Sequence, residues 1–185
     1  TLANEGFLIY QPNQGYFVRE LNINEIMDTY EIRALLEGAA ARRAAEKGIS
    51  CEDEAELHKL LQEGDRILKK GHLSKEDINA YRTMNVNIHE IIIRSSGSTR
   101  LAEYIQQTHN LPLVSSRIII WWNFDLLKRS HDDHHRLLKA ISSGEAWRAE
   151  ALMREHVYYS AIALRDYFSS PENQSNNLNA PIDLL

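Results

Sequence analysis

A helical pattern that runs almost without interruption from Asn24 to Phe168 constrains the fold of this chain more than any other feature. Apolar residues recur every three or four positions, and glycines and capping residues divide the pattern into segments. The pattern predicts helices over residues 24–47, 50–71, 74–95, 99–109, 112–121, 130–141 and 145–168. The predicted N-caps include Asn24, Ser50, Ser74 and Ser130. The fold class is therefore predicted as all-α, an antiparallel bundle of about six to seven helices.

The first 20 residues follow a different pattern. Residues 1–6 resemble the end of a helix that stops at Gly6, and residues 7–10 and 16–18 are short β-prone runs. The turn-forming residues 11–15 between these runs predict a β-hairpin with a five-residue loop and with Asn13 and Gln14 at its tip. An isolated hairpin is marginal in water. Because the chain also begins with Thr1, we expect a fragment whose N-terminal module is cut short.

The composition excludes several classes of protein. With 185 residues, 43% hydrophobic and 25% charged, the chain is an ordinary globular one with a single main domain. The longest apolar run, residues 118–122, is too short to span a membrane, and no signal segment stands at the start. A single cysteine, Cys51, excludes an internal disulfide and fits a reducing, cytoplasmic location.

Two further features concern nucleic acid and the end of the chain. The formal net charge of -5 argues against this chain gripping nucleic acid by itself, because phosphate binding needs clustered Lys and Arg. Either the protein does not bind DNA, or the part that does so is missing from this chain. Residues 169–185 are polar and contain two prolines, so we expect a disordered tail.

Histidines on three predicted helices are the candidates for a functional site. Asn85 and His89 are four residues apart and leave one face of a helix, while His134 and His156 lie on separate helices around a break at residues 142–144. Three imidazoles with one oxygen donor would bind a first-row metal and leave room for a small molecule. The same spacing is also compatible with histidines that do not converge in the folded protein. We expect solvent-exposed or hydrogen-bonded surface roles for the remaining histidines, His58, His72, His109 and His131, and no role in the cluster for His135.

Several motifs in order resemble the GntR family of transcriptional regulators. EGFL at residues 5–8 and GYFV at residues 15–18 resemble the last helix and wing of a winged helix-turn-helix. YEIR at residues 30–33, Leu36-Glu37 and AAARRAA at residues 39–45 resemble the opening of the FadR-like effector domain. The segments NVNIH (85–89), SG (96–97), DH (133–134), LLKAI (137–141), GE (144–145) and MREH (153–156) resemble its Asp-x-x-Phe-His, Ser-Gly-Asn and Glu-His to Met-Arg-x-His motifs.

This resemblance implies a helical sensor domain and a homodimer. Residues 1–20 would be the end of the winged helix-turn-helix, residues 21–168 the FCD effector-binding and dimerisation domain, and residues 169–185 the tail. Operator DNA would be bound through the N-terminal module, with Asn13 and Gln14 as contacts. The resemblance also implies a divalent metal, with zinc or nickel as first candidates and manganese or iron after them. Its ligands would be Asn85, His89, His134 and His156, and a small carboxylate effector would face Arg33 and Tyr30.

Two residues depart from the family motifs. Asn85 stands where the family has aspartate, and Ser98 stands where it has asparagine. A neutral amide oxygen is a weaker donor to a divalent cation than a carboxylate, so metal affinity should be lower here. The site would also be about one charge more positive, by the ionisation of aspartate at neutral pH, which favours an anionic effector.

Three alternatives stay open at this stage. In the first, the pocket is metal-free and its histidines donate hydrogen bonds to an acyl or sugar-acid ligand. In the second, Arg33 forms only a buried ion pair with Glu37 and binds no effector. In the third, the chain is a helical-bundle metalloenzyme, but no Glu-x-x-His occurs and no catalytic residue is indicated. We therefore expect a regulator and not an enzyme.

Overall fold

A computed structural model of the protein describes residues 8–18, 22–109, 114 and 124–169. Two strands precede six helices in this part of the chain: β1 (Leu8–Gln11), β2 (Gly15–Val18), α1 (Ile23–Lys47), α2 (Cys51–Leu68), α3 (Lys75–Ser95), α4 (Thr99–Thr108), α5 (Phe124–Ser142) and α6 (Ala146–Ser169). The predicted all-α bundle with a preceding hairpin is confirmed. Most of the helix expected from Pro112, the helix end at residues 1–6 and residues 170–185 of the expected tail lie outside the described residues.

The hairpin forms where the sequence predicts it, but its loop is shorter. β1 and β2 pair antiparallel, with Leu8 opposite Val18 and Gln11 opposite Gly15. Only three residues connect the strands, and the Gln14 amide donates to the Gln11 carbonyl at 3.1 Å. Asn13 takes the left-handed conformation, at φ 64°, that a tight turn requires. The expected five-residue loop is wrong because Gln11 and Gly15 form the last pair of the ladder.

The helix starts follow the capping residues in most places. Ser50 and Ser74 cap α2 and α3 as predicted, and each accepts a hydrogen bond from the amide three residues later. Asn22 and not Asn24 caps α1, since its Oδ1 accepts from the Asn24 amide at 2.9 Å. Helix α1 ends at Lys47 as predicted, followed by Gly48 at φ 81°.

Helix α5 differs most from its prediction. It begins at Phe124, so Ser130 lies in its second turn and is not a cap. Leu127, His131, His134 and Leu138 are all buried, and their spacing places them on one face. The prediction was wrong because the capping preference of serine was given more weight than this continuous inward face.

Helix α1 is the centre of the bundle. It contacts α3, α4, α5 and α6, and its inward face is rich in alanines with no exposed surface. At Gly38, an added Cβ would lie 2.5 Å from Cγ of Arg154 and 3.2 Å from the backbone oxygen of Glu150, both on α6. Small residues therefore let α1 and α6 approach closely, and polar residues of α1 reach the interior beside α3 and α5.

Within the described ranges, no helix is both long enough and apolar enough to span a bilayer.

Candidate metal and effector site

The structure brings three of the predicted ligands together in the interior. His89 comes from α3, His134 from α5 and His156 from α6, and each is at most 4% exposed. One ring nitrogen from each lies within 4.8 Å of the others. Asn85, one turn before His89 on α3, is also buried and lines the cavity beside these rings. Asn85, His89 and His156 thus line one small cavity, and His134 lies beside them in the histidine cluster.

The nitrogens of this cluster have few hydrogen-bond partners. The Nε2 atoms of His89 and His156 face each other at 3.2 Å, and both ring nitrogens of His134 are buried with no hydrogen-bond partner among the described residues. Burial lowers the pKa of His156 to about 3, and burial with the neighbouring histidines lowers the pKa of His134 well below its usual value. His134 and His156 are therefore neutral at pH 7, and neutral imidazole is the form that binds metal. This donor set fits a borderline first-row dication.

A buried carboxylate, Glu37 of α1, orients one of these rings. Its Oε2 lies 2.5 Å from Nδ1 of His89, and its Oε1 accepts from Nε of Arg33 at 2.5 Å. Burial opposes ionisation of Glu37, but Arg33 and His89 outweigh it and hold the pKa of this carboxyl well below its usual range. In the tautomer of His89 that donates its Nδ1 proton to Glu37, the Nε2 lone pair is directed toward His156. Carboxylate–histidine pairs of this kind orient metal-binding imidazoles in many proteins.

Sequence reasoning missed this role of Glu37. It paired Glu37 with Arg33 on the next turn but had no reason to connect it with His89, 52 residues away. The available signal was an acidic residue within the alanine-rich inward face of α1, because a buried carboxylate needs at least one polar partner.

Arg33 and Tyr30 line the same cavity as Asn85, His89 and His156. The guanidinium of Arg33 is 4% exposed, donates through Nη1 to the Val114 carbonyl at 2.7 Å and lies 5.5 Å from the Tyr30 ring centre. The buried ion pair with Glu37 that the sequence offered as an alternative is therefore present. It does not exclude an effector role, because a guanidinium carries five N–H donors and these contacts use Nε and Nη1.

The other histidines separate into two groups. His135 is 43% exposed and does not join the three-histidine cluster. The expectation of surface positions was wrong for His131, which is 2% exposed, because it lies on the same inward face of α5 as Leu127 and His134. His109 is also largely enclosed, 3.6 Å from Glu37, and burial lowers its pKa.

The predicted DNA contacts remain predictions. Asn13 and Gln14 are exposed at the hairpin tip, where a partner could reach them.

The fold defines the class of this protein: a helical bundle with a small cavity beside a buried histidine cluster. The chain belongs to the FCD domain family, whose model matches residues 28–158. The Nta operon transcriptional regulator of Aminobacter aminovorans is 26% identical over 160 residues, which cover 84% of this chain and 69% of that protein. The HTH-type transcriptional regulator LutR of Bacillus subtilis is 24% identical over 190 residues, or 91% of this chain and 82% of LutR.

A solved structure has the same fold. E. coli McbR/YncC matches with a TM-score of 0.69 and 23% identity over 91% of this chain and 77% of that one. At this identity the likeness concerns the fold. Together with the family match and the named relatives, it confirms the prediction of a GntR-family regulator with an FCD domain and not an enzyme.

Proposed function

We propose that this chain is the sensor part of a ligand-responsive transcriptional regulator in which a divalent metal and a small carboxylate share one buried pocket. His89, His134 and His156 would hold the metal, with Asn85 as an oxygen donor. Arg33 and Tyr30 would face the carboxylate. The metal would supply a positive centre with open coordination positions for an anionic oxygen. Zinc or nickel fits three imidazoles best, followed by manganese or iron.

The convergence of three buried histidines beside Arg33 is the observation that carries this proposal. Within the described residues, the two buried nitrogens of His134 have no hydrogen-bond partner, which is costly unless another group engages one of them. The cavity measures about 60 Å³. A single water needs roughly 10–15 Å³ on this measure, so there is room for only a few heavy atoms. This volume fits a small carboxylate.

Regulation would follow from coupling between this pocket and the rest of the protein. The proposed metal ligands lie on α3, α5 and α6, and Arg33 lies on α1, so a bound metal and effector would together contact four of the six described helices. An effector that binds one arrangement of these helices more tightly shifts the population toward it. In a homodimer, that shift would change the spacing of two DNA-binding modules on operator half-sites. Asn13 and Gln14 would contact the DNA as part of a wing.

Elemental analysis of the purified protein tests the metal first. We expect chelation to remove the metal that the protein binds on reconstitution, and His134→Gln to bind about one metal per chain fewer than the wild type. His58→Gln, an exposed histidine on α2, is the matched control and should keep its metal. A wild-type protein that stays metal-free after reconstitution would overturn the metal proposal and leave a polar pocket for an acyl or sugar acid.

Thermal shift on the metal-loaded protein tests the effector. Carboxylates of two to six carbons should include at least one that raises the melting temperature, and chelation should reduce that rise. A rise of the same size with and without metal would show that the carboxylate does not depend on the metal.

A further inference from the structure

A second group of metal-ligating side chains lies outside the buried pocket. Among the residues that the structure describes, one other set of three meets the same distance criterion as the buried histidines: Asp65 of α2 with His131 and His135 of α5. His131 and His135 are four residues apart and therefore leave the same face of α5. Asp65 meets them from the neighbouring helix. Neither the proposed regulator function nor the family motifs use these three side chains.

Both imidazoles point the same nitrogen at one oxygen atom. Nε2 of His131 lies 3.1 Å from Oδ1 of Asp65, and Nε2 of His135 lies 2.9 Å from the same atom. The two rings meet nearly edge to face, with centres 4.9 Å apart. Ligand atoms about 2.0–2.1 Å from a tetrahedral zinc are roughly 3.3 Å from one another. Two of the three donor separations therefore already lie within a few tenths of an ångström of this value, and all three donors lie within 4.8 Å of one another.

The inner ligand of this group is held firmly in place. His131 is 2% exposed, and its ring packs against the backbone of α2 at Gly64. A Cβ added to Gly64 would lie 2.2 Å from Cε1 of the His131 ring, so only glycine permits this approach without displacing the ring. A ligand fixed by its packing loses little freedom when it binds a metal.

The two outer ligands are open to solvent. The side chain of His135 is 43% exposed and that of Asp65 is 56% exposed. A metal can therefore enter without unfolding of the bundle, and water or another ligand can complete its coordination. The negative charge of the ionised Asp65 also helps to offset the loss of hydration when a dication binds.

We propose that Asp65, His131 and His135 form a second, solvent-open site for a borderline first-row dication such as Zn²⁺, Ni²⁺ or Cu²⁺, and that the ion joins α2 to α5. The unfolded chain does not hold these donors together, so the bound metal stabilises the packed pair of helices. The site is also next to the buried cluster, because the His131 ring contacts the His134 ring at 6.1 Å between centres.

Zinc titration against a chromophoric chelator separates this site from the buried one. In a His134→Gln background, adding His135→Gln should weaken the remaining zinc site by about tenfold or more. Adding His58→Gln, the exposed control on α2, should not. When each change is made alone in the wild-type protein, His135→Gln should bind one zinc fewer per chain. His58→Gln should bind as much zinc as the wild type. Equal affinity and stoichiometry in the His135→Gln and His58→Gln proteins would overturn the proposal.

Chemical modification gives a readout that does not depend on the buried pocket. Diethyl pyrocarbonate should modify both His135 and His58 in the chelated protein, since both are exposed. Added Zn²⁺ should slow modification of His135 by about tenfold and leave His58 unchanged, as measured by mass spectrometry of peptides. Asp65→Asn should abolish this protection. Equal rates at His135 with and without zinc would show that the three side chains form only a hydrogen-bonded contact.

Discussion

At the scale of single residues, Glu37 connects the two halves of the candidate site. One of its carboxylate oxygens faces His89 and the other faces Arg33, and the side chain has no exposed surface. The Arg33–Glu37 pair is neutral overall, which makes its burial tolerable. A change at Glu37 should therefore affect both the orientation of a metal ligand and the stability of the bundle.

We expect Glu37→Gln to weaken metal binding by about 10- to 100-fold, the usual cost of removing a carboxylate behind a metal-binding histidine. It should also lower the free energy of unfolding by about 3–5 kcal/mol, because Arg33 is left as a buried, unpaired charge. Metal titration and urea unfolding measure the two effects. Glu46→Gln, an exposed glutamate on the same helix, is the control. Unchanged metal affinity would mean that His89 needs no orienting partner.

Asn85 provides the opposite test. We expect Asn85→Asp to raise metal affinity by about tenfold or more, because a charged oxygen replaces a neutral one beside the three histidines. Asn79→Asp, at an exposed asparagine on the same helix, is the control. It adds the same charge and should leave metal affinity unchanged. Competition with a metallochromic indicator gives both affinities. If the two variants bind metal equally, Asn85 is not a ligand.

At the scale of the element, the start of α3 is the best-defined local structure. Ser74 and Asp77 form a capping box, in which Oγ of Ser74 accepts from the Asp77 amide and Oδ2 of Asp77 accepts from the Ser74 amide. Nζ of Lys70 donates to the same carboxylate at 2.6 Å. The hydrogen bond from Lys70, together with that from the Ser74 backbone, lowers the pKa of Asp77 to about 2.

This pKa predicts how stability depends on pH. The folded-state pKa is lowered, so the stabilisation by Asp77 is complete above its unfolded value near 3.8 and is lost as pH falls toward about 2. The stability difference between wild type and Asp77→Asn should therefore shrink over that range. Ser74→Ala should cost about 1 kcal/mol near neutral pH. In the double variant the two costs should not add, since each residue caps through the other. Additive costs would contradict the capping box.

At the scale of the whole molecule, the close approach of α1 and α6 positions the site. Buried alanines and Gly38 let the two helices pack tightly, which places Glu37 and Arg33 near His156. Closely packed interiors accept little added volume. Larger side chains along this contact should therefore disturb the bundle and the pocket together.

Substitutions at two alanines on α6 test how tightly this contact is packed. Ala149 has no exposed surface, and Ala151 is exposed. We expect Ala149→Leu to lower the free energy of unfolding by about 1–3 kcal/mol through overpacking, and Ala151→Leu to change it by less than about 0.5 kcal/mol. Thermal and urea unfolding compare them. Equal losses of unfolding free energy in the two variants would show that the α1–α6 contact accommodates a larger side chain.

Most elements of this protein can be predicted from local signals in its sequence. Apolar periodicity and capping residues are local signals, and they gave the all-α class, the hairpin and most helix boundaries; they failed where local signals compete, at Ser130 and at Asn24. The family motifs selected His134 over its neighbour His135. Tertiary packing alone decided which side chains meet. The contacts of Glu37 with His89 and of Asp65 with His131 and His135 join helices far apart in sequence, and the distance between such groups depends on how closely the helices pack.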